Sequence, residues 1–317
     1  MTDALREAAE TAIHQCMALD AEESCAVVTD DERLPIGDVL YEAARDVTDD
    51  AVLLRYPPGE QHGTEPPLPV AAAMADADVV LAPTTKSLSH TRARKRATDA
   101  GARAATLPGI TEDVMIAGLD ADYGTIARHC REVLAQVDGA DEIRITTDAG
   151  TDFTVEPGGR EWLTDTGMVH DPGDFSNLPA GEVFVSPETA NGTYVVDGTM
   201  MPHGLVAEPL RFEVEDGYVT HISDDAVREQ VETARAEVGR DAANLAELGI
   251  GTNVGVTDLV GSVLLDEKAA GTVHIAIGDD ASIGGNTEAP LHLDGIVRDP
   301  TVYADGEIVD LPAVERS

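Results

Sequence analysis

Between residues 25 and 107 four short apolar runs alternate with helix-like stretches, and that alternation narrows the fold more than any other feature of the chain. The runs are residues 25–29, 51–55, 78–82 and 103–107. Helical patterns lie between and after them, at 36–45 following Pro35, at 71–77, at 89–100 with Gly101 in the closing position, and at 123–137. Strands alternating with helices predict a parallel sheet carrying helices on its faces. From residue 141 the style changes to hairpins. Residues 142–147 and 152–155 flank Asp148-Ala149-Gly150, 210–214 and 218–222 flank Asp216-Gly217, and 301–303 and 307–309 flank Asp305-Gly306. An Asp-Gly pair supplies the positive φ values that tight hairpins need. One long helix interrupts this half, with Ser223 or Asp224 as its N-cap and Gly249 as its expected end. The expectation is therefore an α/β class of fold: an α/β domain over residues 1–140 and a hairpin-rich α+β domain over 141–317.

Charge excludes several functions. Sixty acidic residues face 21 basic ones, a net charge of −39. Nucleic-acid binding needs clustered cations that release counterions, and only Arg92, Arg94, Lys95 and Arg96 cluster here, on what reads as a solvated helix face. Such self-repulsion disfavours a compact state unless salt screens it, which points to a salt-rich, halophilic cytoplasm. The core has to be built mainly of Val, Leu, Ile and Ala, since aromatics are only 3 % of the chain. Cys16, Cys25 and Cys130 are odd in number and widely spaced, so neither a disulfide framework nor a thiolate metal site is expected, and a reducing cytosol is. The opening residues read as an amphipathic helix without the basic and apolar regions of a signal peptide, and no apolar stretch approaches 18 residues, so no membrane span is expected.

Chemistry concentrates in the C-terminal half. In Gly271-Thr-Val-His-Ile-Ala-Ile-Gly278 the imidazole of His274 shares a strand face with Thr272 and Ala276. In Pro290-Leu-His-Leu-Asp-Gly295 the side chains of His292 and Asp294, two apart in an extended segment, project to one side. Two imidazoles and a carboxylate form a set that suits zinc or non-haem iron. Glu182 lies where a Pro/Gly turn enters a strand, and Glu247 precedes Leu248-Gly249-Ile-Gly-Thr-Asn253. Spacing alone does not lift either acid above the ordinary surface glutamates of so acidic a chain. In the first half, Thr84–Thr91 follows the third strand and opens a helix, with Ser89 as the expected N-cap. No P-loop, GxGxxG or nucleophile elbow is present.

Residues 177–187, 246–253, 265–278 and 291–294 together resemble the successive motifs of the aminopeptidase T family of metallopeptidases, also called thermophilic metalloproteases. The resemblance implies that Glu182, Glu247, His274, His292 and Asp294 bind a pair of divalent metals, zinc or cobalt. It also implies a homodimer that removes N-terminal residues from peptides, with Glu182 as bridging ligand or base. The chain departs from that family's pattern in one place: where a tyrosine is expected soon after the third-motif histidine, it reads Asp279-Asp280-Ala281-Ser282-Ile283. The same superfamily pattern extends to ring-cleaving dioxygenases of dihydroxypyridine, which use one iron held by two His and one Asp, here His274, His292 and Asp294. A catalytically inactive metal-binding protein is the third expectation.

Overall fold

The structure, a computed structural model, describes residues 2–313. The chain divides into two units, residues 2–127 with Asp165–Ala180, and Arg128–Thr164 with residues 181–313. The division falls at 127/128, ahead of the boundary expected near 140, and residues 165–180 return to the first unit.

The first unit is the expected parallel sheet. Its order is Ala51–Tyr56, Cys25–Asp30, Val79–Thr84, Arg103–Pro108 and Phe175–Asn177, each pair parallel. Cys25–Asp30 and Val79–Thr84 are buried at every residue, as strands covered on both faces have to be. Helices Asp3–Thr11, Leu34–Arg45, Leu68–Asp76 and Arg92–Asp99 follow the sequence pattern. A further helix, Glu112–Leu119, was not legible in that pattern and begins at Thr111, whose hydroxyl accepts from the Val114 N–H. The helix expected to start at Ser89 instead starts at Thr91, whose Oγ1 accepts from the Arg94 N–H. Ser89 is buried and its hydroxyl joins Thr106 Oγ1 (2.8 Å) and Asn177 Oδ1 (3.0 Å), tying the loop after Val79–Thr84 to the fourth and fifth strands of the sheet.

The second unit holds two antiparallel sheets of seven strands. All three expected hairpins fall in one of them, ordered Tyr218–Ile222, Leu210–Glu215, Thr189–Val196, Asp152–Glu156, Ile143–Thr146, Thr301–Ala304 and Glu307–Ile308. Asp216 (φ 51°), Gly217 (φ 77°), Asp305 (φ 49°) and Gly306 (φ 85°) adopt the left-handed conformations their turns require. Few aromatics are available and three of them pack here, with Tyr194 stacked on Phe212 at 4.6 Å and tilted against Phe153 at 5.4 Å.

The other sheet runs Gly204–Leu205, Thr199–Met200, His292–Val297, Val273–Gly278, Leu245–Gly251 and Glu182–Val185, with residues 163–165 at its far edge. It corrects one expectation. The long helix, capped by Asp224, is Asp225–Val238 and stops at Gly239, which takes φ 69°. A 3-10 turn follows, and Leu245–Gly251 is a strand, so Glu247 stands on a sheet and not at a helix end. Among the described residues no helix is long and apolar enough to cross a membrane.

Candidate metal centre

Four adjacent antiparallel strands place the five expected ligands. Gly251 pairs with Glu182, Gly249 with His274, Glu247 with Ala276, Ala276 with Asp294, and Gly278 with His292. Paired residues share a face and side chains alternate along each strand. Glu182, Glu247, His274, His292 and Asp294 therefore leave the same face of the sheet. The positions between them on that face are small, Gly249, Gly251 and Ala276, and this clears room for two imidazoles and three carboxylates. A Cβ on Gly249 would stand 2.0 Å from His274 Nε2.

The side chains converge on Glu247. His274 Nε2 is 3.1 Å from Glu247 Oε1 and 3.4 Å from Glu182 Oε2, and His292 Nε2 is 3.5 Å from Glu247 Oε2 and 3.4 Å from Asp294 Oδ1. Two groups of ligand atoms result: Glu182, Glu247 and His274, and Glu247, His292 and Asp294, with Glu247 common to both. The sequence set His274, His292 and Asp294 is thus joined through Glu247. His274, Glu182 and Glu247 are buried, and His292 is the most open member. His292 Nδ1 donates to the Asp279 carbonyl at 2.7 Å, which aims Nε2 toward the carboxylates.

Two further charged residues escaped the sequence reading. Lys268, 2 % exposed, places its ammonium 2.5 Å from Glu182 Oε1 and 2.7 Å from Glu267 Oε1. The available signal was a charged triplet, Asp266-Glu267-Lys268, directly before a strand with no polar alternation.

Electrostatics follow from burial. Burial drives the Glu182 carboxyl up to about 8, against the pull of the Lys268 charge, and it likewise raises Glu267. For Glu247 burial acts the same way, but hydrogen bonds from His274 and His292 outweigh it and hold this carboxyl far below its ordinary range. Burial lowers both imidazoles, yet Glu247 with Glu182 holds His274 up at about 9, and Asp294 with Glu247 raises His292 well above the ordinary value. Cations are what this pocket lacks. Four carboxylates face a single ammonium, and one divalent ion on two neutral imidazoles leaves the same net charge as two imidazolium protons. Glu182 Oε2 and His274 Nδ1 are buried without a hydrogen-bond partner, so the centre carries unspent hydrogen-bonding capacity. Nitrogen and carboxylate donors in this number fit a divalent metal ion.

The family model for 2,5-dihydroxypyridine 5,6-dioxygenase, NicX, matches residues 5–312. The 2,5-dihydroxypyridine 5,6-dioxygenase of Pseudomonas putida KT2440 is 25 % identical over 186 residues, 54 % of this chain and 53 % of that protein, so the alignment spans about half of each. Among solved structures, the 2,5-dihydroxypyridine dioxygenase from Pseudomonas putida KT2440 superposes with a TM-score of 0.78 at 21 % identity, covering 98 % of this chain and 96 % of that one. Wild-type AmpT from Thermus thermophilus superposes with a TM-score of 0.68 at 18 % identity, over 97 % and 99 % of the two chains. The aminopeptidase T resemblance thus holds for the fold. The expected aminopeptidase, a hydrolase or protease, is overturned by the family match, which names a dioxygenase. A shared fold does not fix the chemistry carried on it. The chain belongs to the NicX family, the family of 2,5-dihydroxypyridine 5,6-dioxygenase.

Proposed function

We propose that this protein is a ring-cleaving dioxygenase acting on a dihydroxypyridine, with one non-haem iron held by His292 and Asp294 and completed by Glu247 and His274. The observation that carries the reading is the convergence of both Nε2 atoms on the two oxygens of Glu247 with Asp294 alongside. When bound, ferrous iron in a His/carboxylate set supplies open coordination positions for dioxygen and substrate and the electron that dioxygen chemistry requires. The chain's own residues do the rest. The Asp279 carbonyl fixes the His292 tautomer and orientation. His274 and His292 keep Glu247 ionised, and Lys268 balances Glu182 and Glu267. Three of the four strands' contributions are deeply buried, so bulk water reaches the cluster mainly from the His292 side. In the net reaction one ring C–C bond breaks and both atoms of dioxygen enter the product, so no external reductant is consumed.

The test loads the metal-free chain with ferrous iron under anaerobic conditions, adds 2,5-dihydroxypyridine and oxygen, and follows oxygen uptake with loss of substrate absorbance. Equimolar consumption of the two is expected, together with no release of amino acids from short peptides in zinc or cobalt. A folded, iron-loaded protein that takes up no oxygen with this substrate defeats the proposal.

A further inference from the structure

The cluster contains donors for more than one cation, and its two halves are dressed differently. Glu247 serves one group with His292 and Asp294 and another with Glu182 and His274. On the first side His292 Nδ1 is anchored on the Asp279 carbonyl at 2.7 Å, the outer contact that a metal-bound imidazole ordinarily makes. On the second side His274 Nδ1 is buried with no hydrogen-bond partner. There Glu182 is met by an ammonium, that of Lys268, at 2.5 Å, and the same ammonium reaches Glu267 at 2.7 Å. Lysine is scarce in this chain, three of 21 cationic side chains, and this one is buried among the acids. Its head is a compact point charge, where the wide planar fork of arginine would need a larger space.

We infer that Lys268 is the chain's own occupant of a second cation position, so that the centre takes a single divalent ion, the one held by His292, Asp294, Glu247 and His274. Removing the ammonium opens a second position bounded by Glu182, Glu247 and Glu267. The inference rests on the metal-centre reading above. An ion ligated by Glu182 would lie within a few ångströms of the Lys268 nitrogen, and like charges at that range in a buried site repel strongly. One or the other fills the place.

Cobalt(II) is the probe. The metal-free whole chain and its variants are titrated by calorimetry, and cobalt per chain is measured after gel filtration. One ion is expected on the wild type and on Lys268→Arg, and two on Lys268→Met, the pair visible as magnetic coupling in the cobalt spectrum. Two ions on the wild type, or one on a folded Lys268→Met, overturn the inference alone. If Lys268→Met does not fold, Glu182→Gln decides: with Lys268 in place Glu182 is not a ligand, so this variant keeps its one ion within tenfold of wild-type affinity. Loss of that ion overturns the inference. A wild-type chain that binds no cobalt overturns the metal-centre reading and the inference with it.

Discussion

Gly249→Ala puts one methyl group where the sheet has no space for it. Gly249 is the register partner of His274, and an added Cβ would lie 2.0 Å from Nε2 and 2.1 Å from Cε1, where ordinary contact begins at 3.4 Å. The ring has to retreat by about 1.4 Å, yet His274 is only 1 % exposed, so it retreats into packed atoms. Overpacking of this kind costs about 1–3 kcal/mol, a drop of several degrees in Tm for a chain of this size. Ligand distances tolerate shifts of about 0.2 Å, so displacement of Nε2 should weaken divalent-ion binding, by roughly 10–100-fold on the scale of disturbed outer-shell contacts. Thermal melts of the metal-free chain and cobalt titration measure the two effects separately. The double variant Gly249→Ala with His274→Ala supplies the control, because truncating the ring removes the obstacle and the melting penalty should largely vanish. A penalty that persists unchanged without the imidazole, or a Gly249→Ala chain with wild-type melting and wild-type affinity, refutes the reasoning.

Asp280 accepts from Ser186 Oγ, Asn244 Nδ2 and the Thr287 N–H while 2 % exposed; Asp280→Ala should destabilise the chain by about 3–5 kcal/mol, read by denaturant unfolding. It should also loosen the segment whose Asp279 carbonyl orients His292, weakening metal binding. Hydrogen bonds from Arg103 at 2.8 Å, the chief cause, hold the Glu23 carboxyl below its ordinary value. That stabilisation is present above the ordinary carboxylate range and is lost as pH falls through the lowered value. Glu23→Gln should therefore melt lower than wild type at pH 7, with the gap closing as pH falls below the ordinary carboxylate range, and a gap that stays constant into acid would be contrary. With a net charge of −39, Tm should climb between about 0.1 M and several molar KCl as the Debye length shrinks to roughly 3 Å; a flat profile would mean the acids are spaced widely enough not to repel.

Sequence legibility tracked how much polarity contrast each segment carries. The parallel strands could be read because apolar runs such as residues 25–29 stand between helical patterns, and the Asp216-Gly217 and Asp305-Gly306 hairpins because their turns demand positive φ. Leu245–Gly251 could not, because all seven residues are buried and a strand buried on both faces loses the alternation that marks it. Its Glu247 was read as part of the preceding helix, although Gly239 already ended that helix. His274, His292 and Asp294 could be read from residue type and spacing, Glu182 and Glu247 only through motif resemblance, and the register explains why the five form a set: each sits across from a glycine or an alanine. Lys268 and Glu267 stayed hidden for a different reason. A lone charge is presumed to be solvated, and only the folded sheet reveals that these two are paired below its surface. The choice between hydrolase and dioxygenase was not written in the ligand types at all, since both chemistries draw on imidazole and carboxylate.

The return of residues 165–180 to the first unit has a consequence for how the chain is made. Phe175–Asn177 pairs with the edge of Arg103–Pro108, but residues 128–164, synthesised in between, belong to the second unit. A chain emerging in order from the ribosome therefore holds a four-stranded sheet with a bare edge while it produces a hairpin, Ile143–Thr146 with Asp152–Glu156, whose other neighbours lie beyond residue 181. Bare edges invite pairing with other chains. A fragment ending near residue 127 or 140 freezes the molecule at that stage and is expected to aggregate. Separating the units takes more than one cut: the 165–180 segment has to be grafted back onto the first, and the ends at 164 and 181 rejoined in the second.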